Sequence, residues 1–160
     1  YPFSKRVCLA QKGMRLDAGG IAKGFTVDEI VKILKKNGMT QFLVDGGGDI
    51  YVGNPPPDQL GWQIHIQVEN TENQIVEKIL TLKNTALASS GDTYRYLEWE
   101  GKRYSHIIDP RTGYGVIDKK IINVQASSCM KADAIASILS VLDKQERHQF
   151  LKKMKQVKVF

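Results

Sequence analysis

Two short stretches, far apart in the chain, carry residue types suited to binding anions and moving protons. The first, Leu16 to Gly24 (LDAGGIAKG), places an aspartate, a pair of glycines and a lysine just before an amphipathic segment. The second, Ser105 to Gly113 (SHIIDPRTG), carries a histidine followed by a sharp turn at Asp-Pro. A glycine turn at a helix start suits an anion, because exposed backbone N–H groups and the helix dipole both point at it. Together the two stretches favour phosphate chemistry.

The glycine turn taken alone is ambiguous, because a Gly-Gly pair is most often a plain tight turn. It matches neither nucleotide fingerprint: a P-loop has lysine directly after its second spaced glycine, whereas Phe25 follows Gly24, and no G-x-G-x-x-G occurs here. Asp17 and Lys23 tip the interpretation toward a ligand. A lysine adds a mobile positive charge for a phosphate, and an aspartate can hold a sugar hydroxyl or an amine.

Two more glycine-containing stretches carry the same ambiguity. The run from Asp45 to Asp49 has three consecutive glycines, which let a ligand approach the backbone but serve a β-bulge equally well. The run Ser89-Ser90-Gly91-Asp92 lies at a predicted bend between strands, where the backbone could touch a ligand.

His106 is the candidate proton carrier. Asp109, Arg111 and Thr112 follow within one turn, and such groups can orient an imidazole ring or bind phosphate. The other two histidines, His65 in an alternating strand and His148 in the polar tail, lack such neighbours and are expected to be structural.

Asp133 and Ser137 are four residues apart on a predicted helix and therefore share one face. One interpretation is a solvent face whose aspartate complements the helix dipole. The helix has no charged residue between Asp133 and Asp143, however, so it is predicted to be covered on both sides, and a covered carboxylate needs a cation. One carboxylate, one hydroxyl and a backbone carbonyl leave room for water and phosphate oxygens around Mg²⁺.

Composition narrows the class of protein. The 160 residues, 42% hydrophobic and 25% charged, predict a single folded domain with one apolar core, and no apolar run is long enough to span a membrane. The net charge of +6 suits an anionic ligand, but the lysines are scattered and lack interleaved aromatic residues, so no nucleic-acid partner is expected. Cys8 and Cys129 belong to no ligand-spaced cluster, which excludes a structural zinc site, and both are predicted to be buried.

Hydrophobic periodicity predicts the elements that must position these residues. Helices are expected at about 25–36, 131–142 and 144–153, and an extended piece at 7–16. Strands are expected at 42–44, 50–52, 62–68, 75–82, 85–89, 94–99, 102–108 and 121–126, with a hairpin turn at Glu100-Gly101. Many hairpins with a few packed helices predict an α+β fold with a mostly antiparallel sheet.

These segments, in this order, resemble the ApbE family of flavin transferases, which take FAD and attach FMN covalently to a Ser or Thr of another protein. The resemblance covers nearly the whole chain. Its anchors are Asp17 to Gly24, Gly47-Gly48-Asp49, Ser90-Gly91, His106 to Gly113, and Ala132-Asp133 through Ser137. It implies an α+β fold related to the T-fold, with FAD as substrate and Mg²⁺ as cofactor.

The resemblance also implies a role for each anchor. The residues expected to bind FAD are Asp17, Lys23, Gly47, Gly48, Asp49, Ser90, Gly91 and Ile107. The expected ligands of Mg²⁺ are the carbonyl of Gly20 (or of Ala22), the carboxylate of Asp133 and the hydroxyl of Ser137. His106 is the expected catalytic base.

Three departures from the family pattern stand out. Ser137 replaces the usual Thr and keeps the hydroxyl, and Gly115 replaces a Pro found in many members. Family members are about twice this long, so residues 1–160 are expected to form a single domain that is the C-terminal half of a longer protein. Bacterial members are commonly extracytoplasmic lipoproteins, which implies a periplasmic or membrane-anchored location.

The resulting hypothesis is a Mg²⁺-dependent FAD:protein FMN transferase that flavinylates a Ser or Thr of a target flavoprotein and releases AMP. The first alternative keeps the site but uses water as the acceptor, which makes an FAD pyrophosphatase yielding FMN and AMP. The second alternative is a non-catalytic flavin-binding module.

Overall fold

The computed structural model describes residues 6–90, 96–117 and 121–160. Within these ranges the helices are α1 (Ala22–Lys36), α2 (Cys129–Val141) and α3 (Lys144–Lys152). The strands are β1 (Leu43–Asp45), β2 (Asp49–Val52), β3 (Trp62–Glu69), β4 (Ile75–Leu82), β5 (Thr85–Ser90), β6 (Tyr96–Trp99), β7 (Lys102–Ser105), β8 (Ile122–Ala126) and β9 (Lys158–Val159). None of the helices in the described ranges has both the length and the apolar character needed to cross a membrane.

The central element is a five-stranded sheet with the order β1-β2-β5-β8-β9, and each of its strand pairs is antiparallel. β3 pairs with β4, and β6 with β7, as two separate antiparallel hairpins. The turn between β6 and β7 lies at Glu100 and Gly101, whose φ angles of 48° and 71° suit a tight hairpin. The α+β class and the hairpin turn are therefore confirmed.

One face of the sheet is covered by the helices. Because side chains alternate along a strand, β5 turns Ala86 and Ala88 to the same side. On that side α2 packs with Ile135 and Leu139, and α1 packs with Val27. The small alanines let both helices lie close to the sheet.

The other face is covered by the hairpin β3–β4. Val52 and Leu87 point to this side and pack with Ile64 and Leu80 of the hairpin. Asn123 reinforces the contact, since its side-chain amide donates to the Gln67 carbonyl at 2.7 Å. The core is thus built in three layers: the helices, the five-stranded sheet and the β3–β4 hairpin.

α1 begins earlier than the glycine pattern predicts. The expected start was about Phe25, whereas the helix starts at Ala22, whose N–H donates to the Ala18 carbonyl at 2.8 Å. Lys23 and Gly24 therefore lie in the helix and not in the preceding turn. Sequence reasoning treats glycine as a turn residue, but here glycine is needed for a close helix contact, described below.

Three other predictions are wrong in detail. α2 begins at Cys129, two residues before the predicted start. β7 pairs only as far as Ser105, opposite Tyr96, so His106 follows the strand and is not part of it. Cys8 is exposed, because the described part of segment 7–16 lies on the surface and joins no sheet, whereas Cys129 is buried as predicted.

Candidate active site

Helices α1 and α2 meet at Gly24. The Gly24 N–H donates to Asp133 Oδ2 at 3.2 Å, in a buried hydrogen bond that joins residues distant in sequence. A methyl group at position 24 would lie 2.5 Å from the carbonyl oxygen of Cys129, so only glycine permits this approach. Asp133 is 7% exposed, and the interpretation of its helix face as a solvent face is therefore wrong.

The same helix pair brings Gly20 to Ser137. A methyl group at position 20 would lie 3.0 Å from Ser137 Oγ, one helical turn beyond Asp133. Residues 20, 133 and 137, which are the expected sources of metal-binding oxygens, are thus neighbours. Of the two carbonyls expected as alternatives, that of Ala22 already accepts a hydrogen bond from Thr26 Oγ1 at 2.9 Å, which favours Gly20.

A second carboxylate, Asp49, is buried beside this group. It begins β2 opposite Ala88 on the helix side of the sheet and is 1% exposed. Burial and the negative charge of Asp133 raise the pKa of Asp49 to about 6, while Lys23 opposes the shift. The Lys23 ammonium lies 3.2 Å from Asp49 Oδ2 and 3.4 Å from the Gly47 carbonyl oxygen.

The negative charge of Asp49 and Asp133 is only partly compensated by Lys23. Among the described residues no donor reaches Asp49 Oδ2 in hydrogen-bond geometry, although the Lys23 ammonium is close. Two adjacent acids with one lysine leave negative charge in a poorly solvated place, which a cation would stabilise.

The donor set fits Mg²⁺ in the presence of phosphate. Carboxylate, hydroxyl and carbonyl oxygens are the ligands that Mg²⁺ prefers, and it commonly uses one or two carboxylates together with substrate phosphates. In the part of the chain that the structure describes, no cluster of three or more His, Cys, Asp or Glu side chains could hold a metal alone. The residues present therefore suit an ion shared with a phosphate ligand better than an all-protein cage.

The glycine bend at 46–48 is closed by the side chain of Asp45, the residue before it. The N–H groups of Gly47 and Gly48 donate to Asp45 Oδ1 at 2.8 and 3.0 Å, and their φ angles of 82° and 94° require glycine. These N–H groups, which the sequence left open to a ligand, already have an acceptor. The carbonyl of Gly47 faces the Lys23 ammonium, so the bend helps to place that lysine.

The other expected FAD contacts are dispersed. Asp17 is exposed, and its Oδ1 accepts from the Gly19 N–H at 2.6 Å, which shapes the turn before α1. Ser90 lies on the helix side of β5, with its Oγ 3.0 Å from Ser140 Oγ. Gly91 lies outside the described residues.

His106 is exposed directly after β7. Ile107, the next residue, is half-buried: its N–H donates to Ser105 Oγ at 3.1 Å and its carbonyl accepts from the Val116 N–H at 2.9 Å. The backbone on the C-terminal side of His106 is thus held by bonds to the rest of the loop.

Arg111 fastens the His106 loop to the helix layer. Its guanidinium donates to Asp109 Oδ2 at 2.8 Å, to Glu146 Oε1 at 2.8 Å and to the Val141 carbonyl at 3.1 Å. The guanidinium holds the pKa of Asp109 below its usual range. The sequence offered Arg111 for ring orientation or phosphate binding, but the structure uses it to attach the loop to the end of α2.

The contact between Arg111 and Val141 gives the position of the His106 loop relative to Asp133. Val141 ends the helix that carries Asp133 eight residues earlier, a distance of about 12 Å along a helix axis. The structure therefore clusters Gly20, Lys23, Asp49, Asp133 and Ser137, and it ties the His106 loop to the far end of the same helix.

Sequence reasoning missed Asp28. Its Oδ1 accepts from the Cys129 N–H at 2.8 Å and its Oδ2 from the Met130 N–H at 3.0 Å, which caps α2 from the neighbouring helix. The signal was present in the sequence, since Gly24, Val27, Asp28 and Val31 share one face at i, i+3, i+4 and i+7. A single acid on a buried stripe predicts a partner on the facing element.

Comparisons with known proteins show the family to which the chain is similar. The model of the ApbE family matches residues 2–160. The FAD:protein FMN transferase of Vibrio cholerae is 36% identical over 128 residues, which cover 79% of this chain and 38% of the relative. The transferase of the same name from Treponema pallidum is 35% identical over 145 residues, which cover 85% of this chain and 40% of the relative.

Solved structures show the same similarity. The flavin transferase ApbE from Vibrio cholerae matches with a TM-score of 0.74 and 31% identity over 90% of this chain and 45% of that one. The ApbE protein from Thermotoga maritima matches with a TM-score of 0.77 and 28% identity over 92% of this chain and 48% of that one. The chain spans about two fifths of the length of the curated relatives that it matches.

Proposed function

We propose that this chain, which belongs to the ApbE family, carries catalytic and metal-binding residues of an FAD:protein FMN transferase. The substrate would be FAD, the acceptor a Ser or Thr of a target flavoprotein, and the second product AMP. One observation carries the proposal: α1 and its leading turn lie against α2, so that Gly24 bonds to Asp133 and Gly20 abuts Ser137. The relatives named FAD:protein FMN transferase support it.

The proposed cation ligands are the Gly20 carbonyl, the Asp133 carboxylate and the Ser137 hydroxyl. When bound, Mg²⁺ would neutralise charge on the FAD pyrophosphate and on the departing AMP. Asp49 is buried beneath this site and acts through its neighbours: it repels Asp133 and holds the ammonium of Lys23. Lys23, with a half-exposed side chain, is placed to meet a phosphate.

His106 is proposed as the general base. It would accept the proton of the acceptor hydroxyl as that oxygen attacks the phosphorus of the FMN moiety. A new oxygen–phosphorus bond forms, the anhydride bond to the AMP phosphate breaks, and AMP leaves. The Arg111 attachment to α2 and α3 holds the loop that presents the imidazole.

The remaining FAD contacts are proposed from the family pattern: Asp17, Gly47, Gly48, Ser90, Gly91 and Ile107. Of these, Asp17 lies in the turn before α1, Gly47 and Gly48 in the bend before β2, Ser90 at the end of β5 and Ile107 in the loop after β7, while Gly91 lies outside the described residues. Binding in this way would be mostly positioning and electrostatics, as is usual for phosphoryl transfer.

The test uses the intact protein with FAD, Mg²⁺ and a candidate acceptor protein. Mass spectrometry should find an FMN adduct on a Ser or Thr, and chromatography should find an equal amount of AMP. We expect His106→Ala to lower turnover by about 10²- to 10⁴-fold, whereas the matched control His65→Ala, which removes an exposed side chain from β3, should retain turnover. Near-normal turnover of His106→Ala would remove its role as base.

The metal assignment has its own test. Asp133→Asn should abolish the dependence of AMP release on Mg²⁺ concentration, since it removes the charged ligand. An unchanged magnesium titration would contradict the assignment.

Solvent exposure of His106 favours a second candidate function, FAD pyrophosphatase, in which water replaces the hydroxyl acceptor. AMP release without a protein adduct would select this candidate. A yellow protein that releases no AMP would contradict both reactions and select the flavin-binding module.

The family pattern also leads us to propose an extracytoplasmic lipoprotein, either periplasmic or membrane-anchored. Cell fractionation with metabolic lipid labelling tests the location of the intact protein. Unlabelled protein in the cytoplasmic fraction would contradict it.

A further inference from the structure

The carboxylate of Asp28 joins the two helices that carry the proposed cation ligands. Asp28 lies in the second turn of α1 and is half-buried. Both of its oxygens accept hydrogen bonds from the first two N–H groups of α2, those of Cys129 and Met130. The first N–H groups of a helix have no acceptor within it, and a carboxylate there is also favoured by the helix dipole.

α2 has a second cap that lies within its own chain segment. Ser128, the residue directly before the helix, accepts a hydrogen bond at its Oγ from the Lys131 N–H at 3.4 Å. Ser128 can therefore stabilise the start of α2 but cannot fix its position relative to α1. Asp28 does both, because its backbone belongs to the other helix.

The contacts between the two segments form a regular series. Asp28 meets Cys129, Gly24 meets Asp133, and Gly20 meets Ser137. Each step moves four residues back along the first segment and four residues forward along α2, which is about one helical turn and 6 Å. The segments thus run antiparallel in one register, with Asp28 at one end and the Gly20–Ser137 contact at the other.

Close packing of the two helices allows no gradual axial shift away from this register. A methyl group at Gly24 would meet the backbone of both Cys129 and Met130 at less than 3 Å, so the helices touch at backbone distance. Axial sliding would bring larger neighbours of Gly24 against that backbone, and packed cores respond to such shifts in discrete steps. The charged bonds of Asp28 hold the register in which Gly20, Asp133 and Ser137 coincide.

We propose that Asp28 is a positioning residue for the cation site: it sets the axial register of α1 on α2 and so aligns Gly20 with Asp133 and Ser137. The proposal rests on the proposed function for the identity of the cation. Asp28 is not one of the proposed cation ligands, and both of its oxygens accept hydrogen bonds from α2.

The test compares Asp28→Ala and Asp28→Asn with Ser128→Ala in the intact protein. Ser128→Ala is the matched control, because it removes a cap from the same helix end without breaking a bond between helices. Two readouts need no turnover: hydrogen exchange of the Gly24 amide by NMR, and Mn²⁺ binding measured by EPR. A third is the Mg²⁺ concentration that gives half-maximal AMP release.

We expect Asp28→Ala to weaken Mn²⁺ binding about 10- to 100-fold, as for other residues that orient metal ligands. The Gly24 amide should exchange faster, because its bond to Asp133 loses its alignment. Asp28→Asn, which keeps an acceptor but loses the charge, should be intermediate. Ser128→Ala should leave Mn²⁺ binding close to that of the wild type.

Equal effects of the Asp28 and Ser128 variants on Gly24 exchange and on Mn²⁺ binding would overturn the proposal, as would wild-type protein that binds no Mn²⁺. If Asp28→Ala does not fold, Asp28→Asn decides by the same comparison. If the wild-type protein releases no AMP, the proposed function fails, and Gly24 exchange with Mn²⁺ binding still decides the role of Asp28.

Discussion

Replacing Asp49 by Asn should increase the free energy of unfolding relative to that of the wild type, and the increase should grow as the pH rises. Asp49 is 1% exposed, and burial together with the charge of Asp133 raises its pKa to about 6. Asn has nearly the same shape but carries no charge, and its amide can donate to the Asp133 carboxylate. The pH dependence of the difference between Asp49→Asn and the wild type therefore reports the free energy of ionising Asp49 in the folded protein.

The magnitude follows from the pKa difference between the folded and unfolded states. A rise from the ordinary value of 3.8 to about 6 corresponds to about 3 kcal/mol, at about 1.4 kcal/mol per unit. Because the folded pKa of Asp49 is the higher one, the folded state binds the proton more tightly than the unfolded state. The stabilisation is complete below about pH 3.8 and is lost as the pH rises through about 6.

The assay is urea unfolding at several pH values between about 4 and 7.5, with EDTA present so that no divalent cation alters the carboxylates. The free energy of unfolding of Asp49→Asn minus that of the wild type should increase by about 2.5 kcal/mol over this range, because part of the total of about 3 kcal/mol is already lost at about pH 4. Asp58→Asn is the control, since Asp58 is an exposed loop residue whose φ of 61° Asn tolerates. A difference that stays constant with pH, or that falls, would refute the reasoning.

Three further substitutions test the packing that holds the site. Gly24→Ala should destabilise the protein by about 2–4 kcal/mol in urea unfolding, because overpacking against Cys129 and a weakened bond to a carboxylate outweigh the helix propensity of Ala. Leu139→Ala should lower the free energy of unfolding by about 2–5 kcal/mol, because Leu139 is 1% exposed in the core under α2. Glu146→Gln should change stability by less than about 1 kcal/mol, since its ion pair with Arg111 is solvent-exposed, yet it should lower turnover if the His106 loop depends on that pair.

Each of these has a comparison that can contradict it. Thr26→Ala, on the exposed side of α1, should stay within about 0.5 kcal/mol of the wild type, and a Gly24→Ala protein more stable than this control would contradict the close contact. Unchanged thermal unfolding of Leu139→Ala would contradict the burial of α2. A loss of turnover in Glu146→Gln that comes only from weaker FAD binding would argue against a role in placing His106.

Much of the fold could be predicted because its signals are local. β4 runs from Ile75 to Leu82 as its periodicity indicates, and the Glu100-Gly101 turn was readable from glycine chemistry. The errors lie where a distant partner decides. A glycine stands inside α1 at position 24 because the backbone of Cys129 leaves no room for a side chain there. β7 ends at Ser105, where its described pairing with β6 ends.

The candidate site shows the same division. The acid at Asp133 and the hydroxyl at Ser137 could be placed on one helix face. The absence of charges between Asp133 and Asp143 predicted burial, which the structure confirms for Asp133, whereas Ser137 is half-buried. Asp28 and the pairing of Asp49 with Lys23 were missed, because each depends on an element elsewhere in the chain. The sequence suggested that Arg111 orients the imidazole or binds phosphate. Its bond to Glu146 could not be predicted, because Glu146 lies on a helix distant from the loop in sequence.

The sequence by itself determined which residues have the chemistry for a phosphate and a cation, and which segments are helices or strands, because side-chain type and periodicity are local properties. Only the tertiary structure decided that Asp49 shares its surroundings with Asp133 and Lys23, and that Gly20 lies at Ser137. Those relations depend on how two helices pack on a sheet. Packing at backbone distance is a property of the assembled core and not of any one segment.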